Sequence, residues 1–269
     1  MRRGLGDRLT VLWTVLVISL LYMPIISVVL ASLANTRYMR FPHRVWSIEP
    51  YREAFGLSTT WELHSVSLKI ALAVAVIAAL VAIPGALAFA RFEWRGRSAY
   101  QKLILLPVFF PQPVLGLALL VFFSAVGVTP SWKTAVFAHL VLIAPIVTLI
   151  VSITLYGFDR AQEEAAYDLG ATRLQAFREV TLPAILPGLV SGGLFAFLLS
   201  WSNLPLSAFT TGADSTLPEW LYSRTATNYA PMIPAVSVIS VGASAAIVLA
   251  ALFTLATFRA ARRPSRLAA

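Results

Sequence analysis

Residues 163–183 read EEAAYDLGATRLQAFREVTLP. The stretch lies between two long apolar runs, yet it holds four of the chain's twelve acidic residues: Glu163, Glu164, Asp168 and Glu179. A polar segment of this length has no place in hydrocarbon, where an unpaired polar group is costly. Its residues read as two short helices around a glycine. Asp159 is placed to cap the first helix. Glu163 and Glu164 fall in its first turn, where carboxylates meet the positive end of the helix dipole. Ala165 and Ala166 leave the helix surface nearly bare, so another protein's groove can approach closely. Gly170 ends the helix, because glycine enters a left-handed turn at little cost. Thr172 and Gln175 form a T-x-x-Q capping box for the second helix, which is expected to stop at Leu182-Pro183.

The rest of the chain explains why this polar insert stands out. Of its 269 residues, 58% are hydrophobic and 12% charged. Soluble domains hold about 45–50% and about 25%. The composition is that of an all-α integral membrane protein. Its length allows six spans of about 20 residues, expected at 9–33, 67–90, 103–126, 134–158, 184–209 and 234–258. These form a single transmembrane domain over 1–269, and the polar loop at 159–183 emerges from it. A cleavable signal is the competing reading of the N-terminus. The apolar run of 9–33 is far longer than a signal's core of about 7–15 residues, so it reads as a retained span.

The basic residues give the orientation. The net charge of +9 does not point to nucleic acid, because the Lys and Arg residues cluster beside the apolar runs. Fourteen of the 21 fall in the proposed inner segments and seven in the outer ones. That bias puts both termini in the cytoplasm. Arg91, Arg95, Arg97 and Lys102 anchor a short inner turn with Trp94. Lys69 is expected to snorkel at the outer end of span two. There are no cysteines, which excludes disulfides, thiol nucleophiles and thiolate metal sites.

Polar residues at membrane depth are the remaining candidates for function. Span three carries Pro107, Pro111 and Pro113, so its first half is expected to face protein or a cavity. Span five contains Ser200-Trp201-Ser202-Asn203-Leu204-Pro205. Trp201, Ser202 and Asn203 are candidates to line a translocation path, with helix–helix contact as the competing role. His139 is a candidate proton or solute ligand, with a hydrogen bond to a neighbouring helix as the alternative. Asp214 and Glu219 lie on an outer loop, solvated or docked to a partner. No acidic residue lies within an expected span. A cationic solute would therefore be recognised by aromatic faces, by a partner subunit or by a separate binding protein.

The spacing E-A-A-x3-G-x9-V-x-L-P, from Glu164 to Pro183, resembles the cytoplasmic EAA loop of the membrane-spanning subunits of bacterial ABC importers. Val180 stands where that family most often has Ile. The resemblance implies the type I ABC importer permease fold and a coupling helix that docks on an ATP-hydrolysing subunit. Carried over residue by residue, it implies coupling roles for Glu163, Glu164, Ala165, Ala166, Gly170, Leu182 and Pro183, in contacting the ATPase or shaping that contact.

Within the family the chain is similar to the second inner-membrane subunit of spermidine/putrescine transporters. The similarity rests on Gly157-Phe158-Asp159 before the loop, His139 with Pro145, and the run Ser207-Ala208-Phe209-Thr210-Thr211-Gly212. That subunit has acidic residues near the position of Ser202-Asn203, and this chain has none there. The resemblance further implies a second permease subunit, two ATPase subunits carrying ATP and Mg, an external solute-binding protein and the bacterial inner membrane. The chain has no G-x-x-x-x-G-K-[ST], so hydrolysis is expected elsewhere, with no cofactor or metal here. Two other classes compete with this reading. A membrane-embedded enzyme would need a catalytic constellation at membrane depth. An ion-coupled secondary transporter would show internal repeats and intramembrane ionisable residues. The sequence shows none of these.

Overall fold

The computed structural model of the chain describes residues 5–34, 46–227 and 229–261. Arg2, Arg3, Arg37, Arg40, Arg44, Arg262, Arg263 and Arg266, all used in the orientation count, lie outside the described residues. In chain order the helices are α1 (Leu5–Ser32), α2 (Glu49–Gly56), α3 (Ser58–Ala86), α4 (Arg97–Leu103), α5 (Leu106–Phe109), α6 (Gln112–Ala125), α7 (Trp132–Tyr156), α8 (Ala161–Asp168), α9 (Arg173–Ala176), α10 (Leu182–Trp201), α11 (Ser207–Thr210), α12 (Leu217–Thr227) and α13 (Met232–Ala261). Among the described residues five helices are long and apolar enough to cross a membrane, or six if one bent pair counts as a span.

The bent pair is the third span. The sequence reads one irregular helix over 103–126. The structure instead breaks it into Arg97–Phe109 and Gln112–Ala125, bent by 100°. Pro111 sits at the break in an extended conformation, with φ −54° and ψ 126°. Its ring, together with Pro113 behind it, removes two backbone donors in three residues, and a helix cannot run through that gap.

The span around α3 also differs from expectation. With the π-helical turn Leu87–Arg91 that continues it, the helix covers Ser58–Arg91, 34 residues, rather than 67–90. At 1.5 Å per residue this is about 50 Å, against a hydrocarbon core of about 30 Å. Hydropathy marks only the part of the helix apolar enough for lipid, and the helix itself extends beyond that part at both ends.

The chain divides into two compact units. In the unit Leu63–Trp220, α3 buries Ile70, Val74, Ala78, Ala82 and Ala86, one residue in every four along a single ridge. Three alanines on that ridge allow close backbone approach, the usual solution where packing rather than water drives helix association. α7 carries Ile143, Val147, Val151 and Leu155 in the same core, and α10 adds Ile185, Leu189 and Ala196. α7 and α10 touch most closely at two glycines. A Cβ on Gly188 would lie 2.7 Å from the Thr154 side chain, and one on Gly192 would lie 2.9 Å from Val147 Cγ1.

In the other unit, Met1–Glu62 with Leu221–Ala269, α13 packs on α1 and α2. The Ser32 hydroxyl meets the Tyr51 hydroxyl at 2.7 Å, tying the end of α1 to α2. Most of α1 is exposed, Leu12, Trp13, Leu20 and Leu21 among it. A face that apolar is stable only against lipid or other protein.

Candidate functional site

The hairpin of residues 159–183 forms as its local signals require. Asp159 Oδ1 accepts from the Ala161 N–H at 3.0 Å, at the start of α8. Gly170 has φ +87°. The Ala171 N–H bonds back to Ala166 O, and the Gly170 N–H to Tyr167 O, both at 2.9 Å. This is the Schellman arrangement that a left-handed C′ glycine permits. Thr172 Oγ1 accepts from the Gln175 N–H at 3.3 Å, and Gln175 Oε1 from the Thr172 N–H at 2.8 Å, so the capping box closes in both directions.

The expected stop at Leu182-Pro183 does not occur. Helical structure runs from Arg173 to Trp201, 29 residues, through a π-helical turn at Phe177–Thr181. Pro183 lacks an N–H, and its ring presses on the carbonyl four residues back, which is Glu179 inside that turn. The wider turn accommodates both defects. The Leu182 N–H bonds five residues back to Phe177 O. Leu182 and Pro183 therefore join the hairpin to α10 as one continuous rod.

Glu163 and Glu164 have different surroundings. Glu164 and Ala165 are exposed, Ala166 is half-buried, and Leu169 is 89% exposed at the tip. Glu163 turns inward. Its carboxylate pairs with Arg91 and accepts from the Thr181 hydroxyl. The paired side chains of Arg91 and Glu163 are only 12% and 14% exposed. The Arg91 guanidinium also lies 5.6 Å from the centre of the Phe158 ring, and Arg160 Nη2 donates to Arg91 O at 3.0 Å. The trio itself forms part of the wall of a cavity of about 730 Å³, together with Leu87, Phe92, Tyr167, Arg173 and Phe177. Glu163 is thus held within the subunit, whereas its neighbour Glu164 faces outward.

The turn after Arg91 also closes the end of the helix before it. Trp94 Nε1 donates to Ala88 O at 3.1 Å, Arg97 Nε to Phe89 O at 3.1 Å, and Gln101 Nε2 to the same carbonyl at 2.8 Å. These side chains satisfy carbonyls at the end of the π-helical turn that have no further helix to pair with.

At membrane depth the candidates gather around the break after α10. His139, fully buried on α7, bonds Ser200 Oγ through Nδ1 at 2.8 Å and Ser207 Oγ through Nε2 at 3.1 Å. Ser207 Oγ already donates to Asn203 O at 2.7 Å, so it accepts from His139, and Nε2 carries the proton. Both ring nitrogens are thus engaged within the subunit. Asn203 Nδ2 donates to Gln112 Oε1 at 3.2 Å, and its Oδ1 accepts from the Leu206 N–H at 3.0 Å. This ties the break after α10 to the start of α6. Trp201 is buried and stacks on Phe197 with ring centres 5.7 Å apart. Ser202 alone of the four faces outward, its hydroxyl donating to Leu198 O at 3.0 Å.

Asp214 and Glu219 are internal pins. Asp214 Oδ2 accepts from the Trp132 N–H at 3.0 Å. Glu219 accepts from Thr211 Oγ1 at 2.9 Å, the Thr216 N–H at 2.6 Å and Thr216 Oγ1 at 2.9 Å. The signal for the second was present in the sequence. Thr216-Leu217-Pro218-Glu219 is a T-x-x-E capping box with proline in the first turn.

Residues 82–263 match the family described as binding-protein-dependent transport system inner membrane component. The chain is similar to the spermidine/putrescine transport system permease protein PotC of Haemophilus influenzae. The two are 32% identical over 230 residues, covering 85% of this chain and 89% of that one. It is likewise similar to the putrescine transport system permease protein PotI of Escherichia coli, with 31% identity and 86% of each chain covered. Its fold is similar to that of a bacterial ABC transporter involved in the import of the acidic polysaccharide alginate. There the TM-score is 0.65, with 16% identity and 97% and 98% of the two chains covered.

Proposed function

Because this chain belongs to the family of binding-protein-dependent inner membrane transport components, and is thus an ABC importer permease, we propose that its hairpin at 159–183 is the handle by which ATP hydrolysis on a separate subunit drives import. The observation that carries this reading is the join at Leu182. The second helix of the hairpin continues without a stop into α10, so displacement of that helix is displacement of a membrane helix. Glu164, Ala165 and Leu169 form the docking face, and Gly170 holds the turn that presents it. Two ATPase subunits, carrying ATP and Mg, would act on this chain and on a second permease subunit. The packed helices would then switch which side of the membrane their cavity faces, as a two-state rearrangement. The termini lie in the cytoplasm, in keeping with the Lys and Arg bias.

The solute is a polyamine or another small organic solute, delivered by an external binding protein. The names of the two permease relatives support the polyamine class. Of the path candidates, Ser202 is the exposed one, and Trp201, Asn203 and His139 are buried within the subunit.

The chain has no cysteine, which makes the test direct. Leu169→Cys introduces its only thiol, at a site 89% exposed. A benzophenone maleimide on that thiol, irradiated in the complex purified through a tag on this chain, is expected to cross-link to the ATPase subunit. Cross-links to lipid alone, or none, would overturn the docking assignment.

A further inference from the structure

The two π-helical turns, Leu87–Arg91 and Phe177–Thr181, are separate in sequence and belong to different membrane helices. Each ends on a residue that touches Glu163. Arg91 is the last residue of the first turn, and Thr181 is the last residue of the second. One carboxylate of the hairpin thus joins the inner ends of α3 and α10 at the points where both helices depart from regular winding.

We propose that Glu163, with Arg91 and Thr181, is a positioning clasp that makes the hairpin, α3 and α10 move as one body. This rests on reading the hairpin as the coupling element, and it adds a second route for the motion. The chain reaches α10 only across the turn Phe177–Thr181, and α3 is reached through Arg91, whose side chain Glu163 holds and whose carbonyl Arg160 holds.

The physical case has three parts. The Arg91–Glu163 pair is largely withdrawn from water, so its charges are weakly screened and removing one leaves the other uncompensated. Arg91 is held from two further sides, by the Phe158 ring and by Arg160 at its carbonyl, so it cannot follow a displaced Glu163 without disturbing the base of the hairpin. A wide turn is also where a helix bends at least cost, since its hydrogen bonds are already re-registered. Without the clasp those two turns would bend when the hairpin is pushed, and the push would end there. The cavity of about 730 Å³ that the trio lines gives the unclasped hairpin room to rock.

The test needs no knowledge of the solute. Single cysteines at Ser202, Leu198 and Val121, each the chain's only thiol, report the membrane helices through their rate of reaction with a water-soluble maleimide. The rate is measured in the complete tagged complex, with and without ATP trapped by vanadate. In the parent, at least one site is expected to change rate by about tenfold on trapping. Glu163→Gln is expected to bring that change within about twofold, Thr181→Val to give an intermediate value, and the exchange R91E/E163R to restore at least half of the response.

A parent-like response in Glu163→Gln overturns the proposal. So does failed assembly of Glu163→Gln alongside a parent-like response in Thr181→Val, because Glu163 would then serve folding alone. If no site responds in the parent while Leu169→Cys still cross-links to the ATPase, the clasp reading fails and docking stands. If the cross-link is absent, the docking reading has failed first.

Discussion

Gly170 separates backbone strain from surface charge at the hairpin, and its substitutions give distinct outcomes. At φ +87° the residue lies in the left-handed region, and a Cβ built on it meets nothing within 4 Å. The cost of Gly170→Ala is therefore conformational, with no steric part. A left-handed L-residue costs about 1–2 kcal/mol, a shift of about 5–30-fold between the native turn and its alternatives. The turn is local and exposed, so this strain should distort the hairpin and leave the helix bundle assembled. Asparagine tolerates the left-handed region better than alanine, so Gly170→Asn should keep most of the coupling. Gly170→Asp has a similar shape but adds a negative charge to a face that already holds Glu164 and Asp168. It should express and assemble normally yet lose most ATP-driven uptake.

The assay compares three quantities for each variant: recovery of the assembled complex, ATP turnover, and uptake of radiolabelled putrescine in proteoliposomes. Where putrescine is not carried, cross-linking from Leu169→Cys replaces uptake. The expected order of coupling is glycine, then asparagine, then alanine, then aspartate, at constant assembly. Wild-type coupling in Gly170→Asp at normal expression would refute the reasoning. Loss of assembly across the whole series would also refute it, because it would show a packing role where the structure has open space.

Two further predictions concern the helix bundle. Gly188→Ala would place a methyl group 2.7 Å from the Thr154 side chain, whose hydroxyl is tied to Val151 O at 2.6 Å. Overpacking of this kind costs about 1–3 kcal/mol, read as a fall in the melting temperature of the purified complex, and Thr154→Ala in the same chain should recover most of it. Ser200→Ala leaves His139 Nδ1 buried without its donor and should destabilise by about 1–3 kcal/mol while leaving solute affinity unchanged. A change in affinity at constant melting temperature would instead place His139 on the path.

What was legible in the sequence was legible because it is local. The Schellman turn at Gly170 and the Thr172/Gln175 box each depend on a few consecutive residues, and both formed as read. The bonds of His139 depend on Ser200 and Ser207, 61 and 68 residues away, and no pattern around His139 announces them. The π-helical turns were hidden for a different reason. A proline in an apolar run reads as a stop or a kink. Whether the helix ends or widens depends on what packs around it, and here Pro183 was absorbed.

Glu163 and Glu164 show the limit most clearly. Adjacent residues on an α-helix point about 100° apart, so two identical side chains in a row must face different surroundings. In a long amphipathic helix the apolar stripe reveals which residue faces inward. α8 has eight residues, mostly small or polar, and no stripe long enough to set that phase. The direction was decided from outside the helix, by where α3 ends on Arg91 and where the next helix brings Thr181. A glutamate pair in so short a polar helix therefore cannot be divided into surface and clasp by reading the hairpin alone. The division follows from the two membrane helices to which the hairpin is attached.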